Sequence, residues 1–278
     1  METLYQYNLG GGAVILRGSI IEWSESVPWN NMHQVEQDLI IGRVLVEIYS
    51  DEFLAKRLAF RGGTAIHRLF LTQQARYSED IDLVQIIAEP IGPTLDKLRD
   101  ILSFLGTPST QRKASNNTIV YKIQSTFPPE TSMKLKIEIN CKEHFSVYGY
   151  KKLPYKILST WFSGDCEITT FDFNELVGTK LRALYQRRKG RDLFDLFLAT
   201  ASRLFNPGLA LECFHRYIEF SDGKIPSKKD YLSNLEEKMK VPQFLKDMDD
   251  IIRPGVEYNP FKAFEVVNEM FLNTNDWM

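Results

Sequence analysis

The amino-acid sequence predicts an α+β protein, in which a mixed β-sheet is flanked by helices and is followed by a mainly helical C-terminal domain. Between residues 58 and 140, short segments alternate polar and apolar residues, as half-buried strands do, and segments with helical spacing separate them. Beyond about residue 170, helical spacing predominates. A chain of 278 residues can form one large or two ordinary domains. We expect two domains, at residues 1–160 and 161–278.

The N-terminal region is predicted to form loops and then one helix. Three consecutive glycines at positions 10–12, the pair Gly18-Ser19 and Pro28 are turn signals, so the first 30 residues favour loops with a short hairpin. From residue 33 to residue 50, apolar residues recur at a spacing typical of an amphipathic helix that packs on the core.

The central region is predicted to alternate strands and helices. Residues 58–60 form a short buried strand, which Gly62-Gly63 ends before helical spacing resumes. The remaining predicted elements are strands at 78–85, 118–124 and 133–140 and helices at 94–105 and 172–185. Residues 150–170 contain Pro154 and Gly164 and few periodic signals, so we place the domain boundary there.

Composition and charge restrict the class of protein. Hydrophobic residues make up 44% of the chain and charged residues 25%, which is ordinary for a soluble globular protein. The formal charge of −2 argues against a uniformly positive surface that coats nucleic acid. The three cysteines are far apart along the chain, which indicates reduced thiols. No signal-peptide pattern is visible and no apolar run reaches the roughly 18 residues of a membrane span, so we expect a cytoplasmic protein.

A first candidate site is the turn Gly62-Gly63-Thr64. Glycines without a Cβ let a phosphate approach the backbone, and the free N–H groups at a helix start attract its charge. The pattern is weak by itself, because two glycines also make an ordinary turn and Thr64 can simply cap its helix. Both interpretations are open on this motif alone.

A second candidate site is the carboxylate pair Asp80 and Asp82. Residues two apart on a strand share one face, so these carboxylates can converge on the same cations. Two hard cations held by oxygen ligands would serve an in-line displacement on a triphosphate, and Mg²⁺ is the natural candidate. Glu138, on the polar face of a later strand, could be a third ligand. An exposed edge strand would equally explain all three carboxylates.

The order of these motifs is more specific than either one alone. Residues 60–65 read Phe-Arg-Gly-Gly-Thr-Ala, and residues 77–83 read Tyr-Ser-Glu-Asp-Ile-Asp-Leu. Together they resemble the nucleotidyltransferase superfamily, and in particular its AbiEii/AbiGii toxin branch. The resemblance extends over about residues 35–200.

The resemblance implies a fold, an activity and a partner. Such toxins are the bacterial partners of AbiEi-type antitoxins in type IV systems that act in phage defence, and related mycobacterial toxins add nucleotides to the tRNA acceptor end. By this likeness, Gly62, Gly63, Thr64 and Ser78 would contact a nucleoside triphosphate. Asp80 and Asp82 would hold magnesium.

Two later segments are also similar to that family. Lys180 falls within the apolar stripe of the predicted helix at 172–185, either with its ammonium in water or reaching nucleotide phosphates. Arg191, Asp192 and Asp195 belong to an Arg-Asp-x-x-Asp-Leu segment, in which helix capping or an ion pair between Arg191 and Asp195 is the structural alternative. The resemblance implies nucleotide contacts for Lys180, Arg191 and Asp192, and catalytic roles for Lys180 and Asp195.

A basic run lies between these two segments. Arg187, Arg188 and Lys189 follow the lysine helix, which also carries Arg182, and all four could bind RNA phosphates. A solvated surface loop is the ordinary reading of such a run.

Other enzyme classes lack their motifs. The chain has no P-loop, because Gly178-Thr179-Lys180 lacks the upstream glycine, and it has no nucleophile elbow and no histidine spacing for zinc. We therefore predict a magnesium-dependent nucleotidyltransferase that transfers a nucleotide to RNA, above all to the tRNA 3′ end, and releases pyrophosphate. Transfer to a protein or small-molecule hydroxyl, or a catalytically silent antitoxin-binding module, are the alternatives.

Overall fold

The computed structural model describes residues 15–113, 115–272 and Trp277. The three glycines at 10–12 and most of the expected N-terminal hairpin lie outside these residues. The expectation for Gly18-Ser19 is wrong, because both residues lie within a helix, Arg17–Ser24. The side chain of Ser19 is buried there and its hydroxyl contacts that of Thr160 at 2.9 Å.

Helices and strands are interspersed up to residue 171, and the described residues beyond it form helices and connecting loops. In chain order they are α1 (Arg17–Ser24), α2 (Met32–Ser50), α3 (Glu52–Ala55), β1 (Leu58–Arg61), α4 (Gly62–Ala65), β2 (Asp80–Gln85), α5 (Gly92–Ile101), β3 (Ser109–Arg112), β4 (Asn116–Gln124), β5 (Ser132–Asn140), β6 (Tyr150–Leu158), β7 (Ser163–Phe171), α6 (Phe173–Gln186), α7 (Gly190–Ser202), α8 (Pro207–Asp222), α9 (Lys228–Met239), α10 (Pro242–Leu245) and α11 (Pro260–Val267). A π-helical turn, Ile66–Phe70, continues α4, and a second one, Asn268–Leu272, follows α11.

The strands form one mixed sheet, in the order β3-β4-β5-β2-β1-β7-β6. Strand β2 pairs antiparallel with β1 and parallel with β5, and β1 pairs parallel with β7. The candidate carboxylates are therefore on a central strand, which excludes the edge-strand interpretation for Asp80 and Asp82. The predicted α+β fold with a mixed sheet is confirmed.

The interval 150–170 differs from the sequence expectation. It forms two nine-residue strands, β6 and β7, where the sequence showed few periodic signals. Strand β6 ends the sheet, and its Lys151, Lys152, Pro154 and Lys156 are exposed. Charged residues and proline are common on edge strands because they hinder pairing with another chain, and they obscure the apolar alternation that identifies a strand.

One face of the sheet forms the core with α2. On β2 and β5, Ile81, Leu83, Ile137 and Ile139 are buried, while Asp80, Asp82, Lys136 and Glu138 between them are partly exposed. Helix α2 is buried along most of its length because both its apolar stripe and polar residues such as Asp38 are enclosed. Asp38 accepts hydrogen bonds from the indoles of Trp23 and Trp29, which satisfies its buried carboxylate.

The described chain divides into two compact units. The first contains the sheet and comprises residues 1–64, 77–145 and 150–170, and the second comprises residues 65–76, 146–149 and 171–278. In the second unit, α6 packs on α7 and α8, and α7 packs on α11. Gly178 of α6 faces the backbone of α8 so closely that a side chain would overlap it. Among the helices described, none has the length and apolar character needed to span a membrane.

Candidate active site

The two carboxylates of β2 lie on one sheet face beside a glycine with a positive φ. Asp80 and Asp82 are both partly exposed, and between them Ile81 points into the core. Gly62, at the end of β1, has φ +81°, a conformation that L side chains rarely adopt. The backbone of Gly62 lies so close to the Asp82 carboxylate that a Cβ would overlap it. The strand and the turn therefore bring Gly62 and Asp82 together.

Thr64 fixes the turn to the segment that enters β2. Its hydroxyl donates to the backbone carbonyl of Asp80 at 2.8 Å, and it contacts the hydroxyl of Ser78 at 2.6 Å. Thr64 is buried and Ser78 is half-buried. Since this hydroxyl has one proton, the Ser78 hydroxyl is the donor in the second contact. Gly62, Thr64, Ser78, Asp80 and Asp82 thus form one connected group.

Strand β5 adds a charged pair to the same face. In the parallel register, Lys136 lies beside Asp80 and Glu138 lies beside Asp82. The ammonium of Lys136 forms an ion pair with the carboxylate of Glu138. Glu138 is therefore next to the candidate metal ligands, as its assignment required, but its charge is already compensated by a lysine. Its role as a third ligand stays a prediction.

The electrostatics of this group centre on Asp80. Partial burial raises its pKa to about 6, and the neighbouring Asp82, Glu138 and Glu79 carboxylates add to this, while the Lys136 ammonium opposes it. Lys136 has a raised pKa, because the Glu138, Asp80 and Asp82 carboxylates outweigh its own desolvation. The face around Asp80 therefore has an excess of negative charge that a cation would relieve.

These residues fit a magnesium ion better as two ligands than as three. Among the described residues, no group of three or more His, Cys, Asp or Glu side chains is arranged to hold a metal. Magnesium is commonly bound by one or two carboxylates together with water and the phosphates of its substrate. Asp80 and Asp82 supply two carboxylates on one face, so the donor set suits magnesium delivered with a triphosphate.

The second unit contains a buried ion cluster around Asp195. The Asp195 carboxylate receives two N–H groups of Arg76, at 2.7 and 2.8 Å, and pairs with the Lys180 ammonium at 2.7 Å. His67 accepts a hydrogen bond from the Ala75 backbone through Nδ1, so its Nε2 carries the proton and donates to Asp195 at 3.0 Å. Burial alone would raise the pKa of Asp195, but Arg76 and Lys180 hold it well below its usual range.

Asp192 links this cluster to the surface. It pairs with the Lys180 ammonium at 2.9 Å and accepts two hydrogen bonds from Arg187, at 2.6 and 2.7 Å. Its own side chain is fully buried, whereas that of Arg187 is 51% exposed. Burial opposes ionisation of Asp192, yet Lys180 and Arg187 lower its pKa. The ion cluster of Arg76, Lys180, Arg187, Asp192 and Asp195 thus has three cations and two anions.

Comparison with known proteins decides the family. The family described as nucleotidyl transferase AbiEii toxin of type IV toxin–antitoxin systems matches residues 43–267, which is most of the chain. The chain belongs to the AbiEii family. It is therefore a member of a nucleotidyltransferase toxin family, and the family implies an antitoxin partner and a nucleoside triphosphate substrate. No curated protein matches it in sequence.

Solved structures confirm the fold expected of an AbiEii protein. MenT4, a nucleotidyltransferase toxin from Mycobacterium tuberculosis, has a TM-score of 0.60 at 15% identity, with 93% of this chain and 89% of MenT4 covered. JHP933 from Helicobacter pylori has a TM-score of 0.53 at 16% identity, covering 86% of this chain and 90% of that one. A putative nucleotidyltransferase from H. pylori has a TM-score of 0.52 at 16% identity, with coverages of 86% and 93%.

The contacts of Lys180 and Arg191 differ from the structural alternatives that the sequence offered for them. Lys180 does not keep its ammonium in water, because Asp192 and Asp195 enclose it. Arg191 is not paired with Asp195 by any described contact. Its backbone N–H donates to Asp247 at 3.0 Å. The nucleotide contacts and catalytic roles expected for Lys180, Arg191, Asp192 and Asp195 stay predictions.

The basic run is only partly a surface. Arg187, Arg188 and Lys189 are exposed. Arg182 is buried, and its guanidinium lies 5.1 Å from the ring of Tyr217 and donates to the Tyr217 carbonyl at 3.5 Å. Arg182 is therefore separate from the exposed basic run, and its contact with RNA stays a prediction.

Sequence reasoning missed Lys136, Arg76 and His67 as neighbours of candidate site residues. Lys136 alternates with core residues like any exposed strand lysine, and only the parallel pairing of β5 with β2 brings it to Asp80. Arg76 stands immediately before the Asp80 motif, but its bond to Asp195 joins residues 119 positions apart. No local pattern could have revealed either contact.

Replacing Gly62 with Ala should impair the site more than the fold. An alanine here must keep a positive φ, and its Cβ must displace the Asp82 carboxylate. We therefore expect the unfolding free energy to fall by about 1–2 kcal/mol and the transfer rate to fall by about 10²-fold. Gly92→Ala in α5 is the matched control, since nothing lies within 4 Å of its Cβ and its φ is ordinary. Urea unfolding and label transfer measure both quantities. Equal effects of the two substitutions would contradict the prediction.

Proposed function

We propose that this chain transfers a nucleoside monophosphate from a nucleoside triphosphate to a hydroxyl of RNA, above all at the tRNA 3′ end, and acts as the toxin of a toxin–antitoxin pair. The observation that supports this most is the group formed by Gly62, Thr64, Ser78, Asp80 and Asp82 on one sheet face. Membership of a nucleotidyltransferase toxin family supports the reaction type.

Four residues at this turn are suited to bind the triphosphate. Gly62 and Gly63 offer backbone without a Cβ, which the triphosphate can approach closely. Thr64 and Ser78 lie next to this backbone, and their hydroxyls are held in place by each other and by the Asp80 carbonyl. Ser78 is half-buried, and its hydroxyl proton can turn from Thr64 to a phosphate oxygen, which accepts the hydrogen bond. We assign these four residues to the triphosphate.

Asp80 and Asp82 would hold magnesium. When bound, magnesium neutralises the charge that develops on the phosphates and lowers the pKa of a bound hydroxyl. The RNA hydroxyl oxygen forms a bond to the α-phosphorus while its proton passes to water. The bond from that phosphorus to the bridging oxygen of the β-phosphate breaks, and pyrophosphate leaves. Because no covalent intermediate on the protein is needed, the absence of a nucleophile motif is consistent with this reaction.

The preference for tRNA rests on likeness and charge. The chain resembles tRNA-modifying mycobacterial toxins in its Gly62-Gly63 and Asp80-Ile81-Asp82 motifs, and MenT4 shares its fold. Arg187, Arg188 and Lys189 are exposed cations in the second unit that could bind RNA phosphates. Membership of the AbiEii family supports an AbiEi-like antitoxin as the protein partner.

The test is incubation of the full-length protein with total bacterial RNA, magnesium and each α-labelled nucleoside triphosphate. We expect label in a tRNA-sized band, lost in Asp82→Asn and retained in Asp165→Asn, whose carboxylate is exposed on β7. Periodate oxidation of the tRNA removes the 3′ diol and should prevent labelling. No labelled RNA with any nucleotide, or label on protein or a small molecule instead, would overturn the RNA assignment.

A further inference from the structure

The sheet face that carries Asp80 and Asp82 continues across two more strands. On β5, Lys136 and Glu138 lie beside Asp80 and Asp82, and Lys134 and Asn140 share their strand face because alternate residues of a strand point the same way. On β4, their antiparallel partners are Lys122, Val120, Thr118 and Asn116. None of these eight side chains is fully buried, whereas the intervening Ile119, Tyr121, Leu135 and Ile137 form the core. The carboxylate face therefore opens into a polar surface within the first unit.

Two lysines face each other on this surface. Lys122 and Lys134 are directly opposite in the antiparallel ladder, both are exposed, and their Cβ atoms are about 5 Å apart by strand geometry. Like charges directly opposite in a sheet are destabilising by a few tenths of a kcal/mol or more. Among the residues that the structure describes, neither ammonium has a carboxylate partner, unlike that of Lys136, which pairs with Glu138.

The surface is polarised along a line that starts at the candidate metal ligands. Asp80 and Asp82 are at the negative end, the compensated pair Lys136 and Glu138 comes next, and Lys122 with Lys134 is at the positive end. From strand spacing, the backbone at Lys122 is about 12 Å from that at Asp80. A chain whose terminal hydroxyl lies at the carboxylates would thus place its preceding phosphates near the two lysines.

We propose that Lys122 and Lys134 bind the phosphate backbone of the RNA strand whose terminal hydroxyl accepts the nucleotide. The proposal rests on the proposed function and adds the path of the acceptor strand. Two neighbouring ammonium groups without a carboxylate partner can bind the phosphodiester groups that carry the negative charge of an RNA strand. With a net chain charge of −2, binding must come from such local clusters and not from the whole surface.

The variant Lys122→Gln/Lys134→Gln removes both charges without touching the carboxylates. Its melting temperature should equal or exceed that of the wild type, because a repulsive pair is removed. Binding of unfractionated tRNA, measured by fluorescence anisotropy, should weaken roughly tenfold at low salt, and the slope of log affinity against log salt should become shallower by about 1.4. The matched control is Lys56→Gln/Lys97→Gln, whose ammonium groups pair with Glu52 and Asp51. The control should bind like the wild type.

Kinetics separate an acceptor site from a nucleotide site. The double variant should show a raised KM for tRNA, with the KM for the nucleoside triphosphate and kcat at saturating tRNA unchanged, and Lys122→Arg/Lys134→Arg should bind like the wild type. Unchanged tRNA affinity in the glutamine variant, or an equal loss in the Lys56/Lys97 control, would overturn the proposal.

Binding is measured without catalysis, so the two proposals fail separately. If the wild type labels tRNA but the glutamine variant binds it normally, only the acceptor path is wrong. If no RNA is labelled but tRNA binding depends on Lys122 and Lys134, the contact of the two lysines with RNA stands and the proposed reaction fails.

Discussion

Replacement of Asp80 by Asn is expected to abolish activity and stabilise the metal-free protein at once. Loss of a magnesium-holding carboxylate should reduce nucleotide transfer by about 10³-fold or more. The same substitution removes a carboxylate that is partly desolvated and crowded by Asp82, Glu138 and Glu79. In EDTA at pH 7.5, we expect the unfolding free energy to rise by about 1–2 kcal/mol, a value reduced for partial solvent screening.

The pH dependence identifies the cause of this stabilisation. The pKa of Asp80 is about 6 in the folded protein and 3.8 ordinarily, so between these values the folded state binds more protons than the unfolded state. Wild-type stability contributed by this group is therefore present at low pH and lost as pH rises through 6. The advantage of Asp80→Asn should grow from about pH 4 to pH 6 and then stay constant.

Magnesium should reverse the order of stability. A ligand that binds only the folded state raises its unfolding free energy, so millimolar magnesium with a nucleoside triphosphate should stabilise the wild type and not Asp80→Asn. Asp165→Asn, on the same sheet, should follow the wild type in urea unfolding with and without EDTA. An Asp80→Asn protein that is less stable than the wild type in EDTA would refute the crowding argument.

The sequence could predict those features of the fold and the site that depend on residues close together in the chain. The turn at Gly62, the alternation around Asp80 and the helical spacing of α2 are properties of neighbouring residues, and the corresponding elements form as expected. The group of Gly62, Thr64, Ser78, Asp80 and Asp82 was accessible for the same reason, since it spans only about 20 positions. The division into domains at residue 160 stays a prediction.

What the sequence could not predict involves pairing across distance. Strands β6 and β7 were missed because lysines, Pro154 and Gly164 interrupt their alternation. The charge of Glu138 is compensated by Lys136, a pair that matters to the site only because β5 lies parallel to β2. The enclosure of Lys180 by Asp192 and Asp195 required the packing of α6 on α7. Spacing alone indicated an exposed or substrate-bound ammonium there.

Replacement of Asp195 by Asn is expected to have the largest effect on stability. Its carboxylate is fully buried and receives Arg76, Lys180 and His67. Breaking a buried ion pair by removing one partner commonly costs 3–5 kcal/mol, since the remaining charge stays desolvated. We expect a loss of about this size in urea unfolding, with Asp249→Asn, an exposed residue of the same unit, as the unchanged control.

A double substitution separates a structural role of Asp195 from a catalytic one. In Asp195→Asn/Arg76→Met, the buried guanidinium is also removed and Lys180 keeps Asp192, so the double variant should be more stable than Asp195→Asn alone. If Asp195 acts only by holding the ion cluster together, nucleotide transfer recovers with stability. If its carboxylate touches the nucleotide or the acceptor, transfer stays lost in a folded protein, which would support the catalytic role expected from the family resemblance.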